Sequence, residues 1–170
     1  MFFIMLERKI KSEIKKNKKL RLNTKSNFFL FFAVVFLFLI DIFTKYFFDG
    51  KNYLENNFLY IASSHNTGSA FSIFSSVLFY NYTIAILGLV CASFLVYYKE
   101  EFIENNFLRN VWILIIAGIL GNSYDRLLLG YTRDFLGFFE FFIFNLADFY
   151  LTIAVILYFI YEYRQIDKNY

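Results

Sequence analysis

The chain has 170 residues, 59% of them hydrophobic, with a mean hydropathy of +0.49, which excludes an ordinary water-soluble domain and predicts a single membrane-embedded one. One Cys and one His exclude an intramolecular disulfide and leave too few ligands for a His/Cys zinc centre, so hydrolytic chemistry would rest on carboxylates, with no metal and no cofactor. The net charge of +3 is unevenly placed: residues 1–26 hold nine Lys/Arg against two Glu.

That basic block precedes the first apolar run and predicts a cytoplasmic N-terminus by the positive-inside rule, with no role in nucleic-acid binding. The run 27–48 is too long for a signal-peptide core and no small-residue cleavage site follows it, so a permanent span is expected. Three more apolar segments follow at 77–98, 107–126 and 141–163, each about 20 residues and matched to a hydrocarbon core of about 30 Å. The loop 99–106, KEEFIENN, and the tail with Arg164 and Lys168 then lie inside, and the outer connections 49–76 and 127–140 carry Lys51 and Arg133 as their only Lys or Arg. The expectation is an all-α integral membrane protein. It has a cytoplasmic extension over 1–26, a four-helix membrane domain over 27–163 and a cytoplasmic tail over 164–170. A small extracytoplasmic strand or loop region is expected between helices 1 and 2.

Polar residues inside the spans share a depth. Asp41 falls fourteen residues into the outward-running first span and Asp148 seven residues into the inward-running fourth, each about 10 Å from the outer edge. Asn122 and Asp125 close the third span near that side. A mid-membrane charge costs about 2.5–3.5 kcal/mol on insertion scales, so such groups face a bundle interior or water. A proton or ion relay would spread its acids through the membrane; here they gather on the outer side, apart from Glu162 at the cytoplasmic end of the fourth span, and no inverted repeat is visible.

In chain order, "DIFTK" (41–45) reads as an i, i+4 ion pair between Asp41 and Lys45. "HNTGSAFSIF" (65–74) begins with turn chemistry, where Asn66 could hydrogen-bond an extended peptide backbone and Gly68 supplies freedom, followed by a strand-like alternation. His65 is expected to be a surface residue. "GNSYDRLLLGYTRDF" (121–135) offers Gly121 for a close approach, Asn122 and Asp125 on one helical face, and Arg126 beside Asp125, an arrangement suited to a scaffold. Gly130 and Gly137 bracket Asp134 and let the chain fold back. "FNLADFY" (144–150) repeats the N-x-x-D spacing with Asn145 and Asp148. Two carboxylates in a poorly hydrated site share a proton, one acting as base toward water while the other donates to a carbonyl oxygen. Spacing alone leaves open which two of Asp41, Asp125, Asp134 and Asp148 form such a pair.

D-x-x-x-K, N-x-G-x-A-F, G-N-x-x-D-R-x-x-x-G-x-x-x-D-F and F-N-x-A-D occur in this order, and together they resemble the bacterial lipoprotein signal peptidases (signal peptidase II) over about residues 27–163. The resemblance implies an aspartic endopeptidase of the cytoplasmic (inner) membrane with its site near the outer face and Asp134 and Asp148 as the catalytic dyad. It implies substrate-binding or site-ordering roles for Asn66, Gly68, Asn122, Arg126, Asn145, Asp41 and Lys45, and a structural one for Asp125. The implied substrates are prolipoproteins cut just before a diacylglyceryl-modified Cys, reached from the lipid, and the implied inhibitors are globomycin-type cyclic peptides. Four spans can enclose a site, so a monomer is expected. A family member that had lost its activity would lack one Asp of the dyad, and both are present. Relative to the family pattern, the stretch from Asp134 to Asp148 is short and has no Pro, and Thr132 stands where an aliphatic residue is common.

Overall fold

The computed structural model describes residues 27–53, 58–68, 79–99, 105–139 and 142–167. The basic block 1–26, the alternation 69–74, most of the loop 99–106 and Lys168 lie outside the described residues. Among the described residues, four helices are long and apolar enough to cross a membrane: α1 Asn27–Phe48, α2 Tyr80–Tyr97, α3 Asn106–Leu129 and α4 Leu146–Asp167. Residues up to Ala33 form a unit of their own, of which the first turns of α1 are described, with Phe31 set edge-on to Phe32. Residues 34–170 form the second unit, and the following concerns that unit.

α3 is the central helix, buried over 56% of its spanning window against 17% for each of the other three. Its inward side carries Val111, Trp112, Ile116, Ala117, Gly118 and Gly121. Between lipid-solvated helices there is little hydrophobic driving force, so close packing of small residues does the work. Gly118 faces Ala147 and Leu151 of α4, Gly88 of α2 faces Ser123 and Ile119, and the Asp41 carboxylate fills the space where a Cβ on Gly121 would stand. Trp112 Nε1 donates to the Leu95 carbonyl at 2.9 Å, joining α3 to α2. The outward faces expose Phe36, Phe43, Phe94, Val155 and Phe159, as expected of side chains solvated by lipid.

At one end of this bundle, four strands among the described residues form an antiparallel sheet in the order β1-β2-β3-β4: Asn52–Tyr53, Leu59–Asn66, Thr132–Phe138 and Phe142–Phe144. The expected region between the first two helices is present as β1 and β2. β3 and β4, by contrast, come from the connection between α3 and α4. α3 ends at Gly130, whose φ of 79° suits a glycine and whose N–H closes on the Arg126 carbonyl at 3.1 Å. The fourth span therefore begins at Leu146, five residues later than the apolar run suggested, because "FIF" pairs as β4.

The β2–β3 pairing contains a bulge. Ile61 pairs with Leu136 and Ser64 with Asp134, so β2 spends three steps where β3 spends two. Side chains alternate along a strand, so one extra residue exchanges the faces beyond it. Asn66, paired with Thr132, thereby shares the face of Asp134; an unbroken β2 would have turned it away.

Candidate active site

The sheet end of the bundle gathers the C-terminal end of α1, the N-terminal ends of α2 and α4, and the C-terminal end of α3. Each of the ten residues singled out from the sequence lies there. They separate into two neighbouring groups.

In the first group Lys45, fully buried, lies between acids. Its Nζ is 2.8 Å from Asp41 Oδ2 and 3.8 Å from Asp125 Oδ2, and it donates to Asn122 Oδ1 at 3.0 Å. The i, i+4 pair read from "DIFTK" is thus present, and Asn122 and Asp125 do share a face. Asp41 Oδ1 accepts the Ala147 N–H at 2.8 Å, tying α1 to the start of α4, where helix N–H groups have no partner of their own. Asp125 takes its second cation from Arg133, and not from the adjacent Arg126 as its sequence position suggested. Arg133 NH2 and Nε donate at 2.7 and 3.3 Å, and its backbone N–H donates at 3.0 Å. A bidentate guanidinium with a third donor is a strong anchor for a buried carboxylate, and it docks β3 on α3. Arg126 instead donates through Nε to Asn81 Oδ1 at 3.3 Å, and Asn81 Nδ2 donates to the Thr67 carbonyl at 2.7 Å.

In the second group are Asp134 and Asp148. Neighbours on a strand point to opposite faces, so the face that sends Arg133 to Asp125 sends Asp134 the other way. Asp134 Oδ1 accepts from Asn145 Nδ2 at 2.6 Å and Oδ2 from Asn66 Nδ2 at 3.2 Å. Asp148 lies in the first turn of α4, so it opens the helix and does not interrupt it. Asn145 Oδ1 accepts the Asp148 N–H at 3.0 Å, and Asp148 Oδ2 accepts the Asn145 N–H at 3.2 Å. This reciprocal pair is a capping box built from Asn and Asp, and it explains the N-x-x-D spacing at the start of α4. Asp148 Oδ1 accepts from Asn122 Nδ2 at 2.7 Å.

The three asparagines share one logic. In each, a donor holds Oδ1: the Lys45 ammonium for Asn122, the Asp148 N–H for Asn145 and the Gly68 N–H at 2.9 Å for Asn66. The amide NH2 is therefore turned toward an aspartate in every case. Among the described residues, the donors that reach Asp134 and Asp148 are all amides, whereas Asp41 and Asp125 have cations. Burial raises the Asp134 carboxyl from 3.8 to about 7, helped by the nearby charge of Asp148 and opposed by the Asn145 and Asn66 hydrogen bonds.

His65 is exposed, as expected, but it has partners. It meets Asp49 Oδ1 at 2.8 Å and stacks on Tyr131. Two residues of the site region were not singled out from the sequence, Arg133 and Asn81. The alternation of β3 was the available signal for Arg133; Asn81, at the start of an apolar run, gave none.

A family model described as Signal peptidase (SPase) II matches residues 33–164. The lipoprotein signal peptidase of Dehalococcoides mccartyi is 37% identical over 109 residues, covering 63% of this chain and 68% of that protein. Those of Staphylococcus carnosus and Lactobacillus gasseri are 44% identical over 107 residues (59% and 64% covered) and 37% identical over 137 residues (70% and 85% covered). A bacterial membrane enzyme structure obtained by the in meso method at 2.3 Å resolution superposes with a TM-score of 0.69 at 31% identity, over 83% of this chain and 91% of that one. With four membrane-spanning helices and this match over most of its length, the chain is a multi-pass membrane protein that belongs to the signal peptidase II family.

Proposed function

We propose that this chain is an aspartic endopeptidase that removes signal peptides from prolipoproteins by cutting just before a diacylglyceryl-modified Cys, with Asp134 and Asp148 as the catalytic pair. The observation that carries the reading is the pair of carboxylates at the bundle end, oriented by three asparagine amides and, among the described residues, without the direct ion pairs that Asp41 and Asp125 make. The family match and the lipoprotein signal peptidases among its relatives support the substrate class.

In this mechanism Asp134 holds the shared proton and Asp148 is the base. Asp148 takes a proton from a water as its oxygen bonds to the scissile carbonyl carbon, while Asp134 protonates the carbonyl oxygen. Collapse of the tetrahedral intermediate breaks the C–N bond, and a proton passes to the departing amine of the lipidated Cys. The two protonation steps belong to the pair as a unit. Asn66, Asn122 and Asn145 hold the carboxylates, and Arg126 and Gly68 shape the edge along which substrate backbone lies. The basic residues 1–26 and the tail 164–170 are cytoplasmic, which sets the sheet and the dyad at the outer face, where a lipid-bearing Cys resides. The protein acts as a monomer, takes its substrate laterally from membrane lipid and is blocked by globomycin-type peptides.

The test uses membranes containing the protein and a diacylglyceryl-modified prolipoprotein, with signal-peptide removal read as a gel shift. Wild type is expected to cleave, and Asp134→Asn and Asp148→Asn are expected to lose at least about 10³-fold in rate while inserting normally. Substantial turnover by either variant overturns the dyad.

A further inference from the structure

Asn81 takes no part in the chemistry just described, yet it is 7% exposed and both ends of its amide are engaged. Arg126 Nε can only donate, so it selects the oxygen of that amide, and the NH2 is left for the Thr67 carbonyl at 2.7 Å. Thr67 follows directly on Asn66, the last residue of β2. Up to Asn66 the backbone is held by pairing with β3, and Thr132 Oγ1 adds a bond to the Asn66 carbonyl at 3.4 Å. Beyond Asn66 the described holds on this turn are the Asn81 bond to Thr67 and the Gly68 N–H on Asn66 Oδ1. Asn66 Nδ2 is 3.2 Å from Asp134 Oδ2, the long end of a good N–H···O bond, so a shift of a few tenths of an ångström would weaken it steeply.

We infer that Asn81 is a positioning residue for peptide cleavage: keyed by Arg126, it holds the Asn66–Gly68 turn where Asn66 can reach the catalytic Asp134. This rests on the aspartic reading proposed above. Asn81 acts through Asn66 and touches neither carboxylate. Because the Asn66 bond favours the ionised form of Asp134, releasing it leaves the Asp134 proton more tightly held.

Asn81→Asp is the informative variant. It is nearly isosteric and gains an ion partner in Arg126, but an ionised carboxylate cannot donate to Thr67. With the diacylglyceryl-modified prolipoprotein as substrate, kcat/KM is expected to fall about 10-fold, the scale of one lost hydrogen bond that supports a reacting group. The alkaline limb of the rate profile is expected to move to higher pH. In an Asn66→Ala background the same substitution is expected to change the rate by less than about twofold, since the two act along one path. Asn81→Ala serves in the same cycle should Asn81→Asp insert poorly. An unmoved pH limb with a penalty that adds fully to that of Asn66→Ala overturns the inference, because Asn81 would then matter only to general stability. Asp134→Asn run alongside separates the two readings. Cleavage by that variant removes the aspartic mechanism itself. Silence there, with Asn81→Asp matching wild type in rate and pH limb, removes only the role of Asn81.

Discussion

Asp41 and Asp125 on one side, and Asp134 and Asp148 on the other, are two pairs of the same side chain linked through Asn122 at one end of the bundle. They are handled in opposite ways. The first pair surrounds Lys45 and receives the Arg133 fork, so each acid has a cation at 2.7–2.8 Å. Among the described residues, the hydrogen bonds to the second pair come from amide N–H groups, which orient a carboxylate without neutralising it. A buried acid with a cation against it serves as a strut; Asp134, held by amides beside a like charge, can keep a proton near neutrality. Asn122 joins the two, with its oxygen on Lys45 and its nitrogen on Asp148.

The largest test of this contrast is an exchange of consequences. Asp134→Asn is expected to abolish turnover with insertion intact, whereas Asp125→Asn is expected to reduce the yield of folded protein far more than the turnover of each folded molecule. Activity normalised to the monodisperse fraction in detergent distinguishes them, and the reverse ordering would place Asp125 in the chemistry. Next in size is Lys45→Met, which strands Asp41 and Asp125 without their shared cation. Breaking a buried pair in this way costs about 3–5 kcal/mol, visible as a loss of thermal stability. Adding Asp41→Asn to that variant is expected to recover part of the loss; no recovery would mean that Lys45 matters through Asn122 and Asp125 and not through Asp41.

A smaller effect is expected from pH. The Asp134 carboxyl titrates near 3.8 in an unfolded chain and at about 7 in the fold. The folded state therefore binds more protons between these values, and this group's contribution to stability declines as pH rises across that window. Cleavage should decline as pH rises through about 7, when the acid is lost. An Asp134→Asn protein whose stability retains the full wild-type pH slope in that window would contradict the assignment. The smallest effect is expected at His65→Ala. Burial alone would raise Asp49, but the hydrogen bond and charge of His65 and the Ser63 hydroxyl hold it below its usual value. That stabilisation is present above the ordinary carboxylate range and lost as pH falls through the lowered value. The pair is half-exposed, so a change under about 1 kcal/mol in unfolding is expected; a larger one would show that the clasp on β2 matters to the site.

Much of this was legible in the sequence, for physical reasons that differ by region. Helix spans are visible because about 20 apolar residues in succession leave few alternatives, and the Asp41–Lys45 pair is visible because i, i+4 is a local rule. Asn145 and Asp148 were read as two groups on one face of a span, although their spacing served equally well for the capping box that the structure shows. "FFIF" was assigned to the fourth span because a short apolar run does not distinguish strand from helix. Arg126 was matched to Asp125 by adjacency, when the partner was Arg133, eight residues on, brought back by the turn at Gly130. Asn81 and the bulge in β2 depend on pairings between segments far apart in the chain, which no local pattern reports.

The bulge between Ile61 and Ser64 implies that part of this site is encoded by counting. Which amino acids occupy the extra step matters less than that the step exists, because it sets the parity on which Asn66 depends. Substitutions there amount to changes of spelling, whereas the removal of one residue is a frameshift in space, turning the strand's reading inside out while leaving every motif intact.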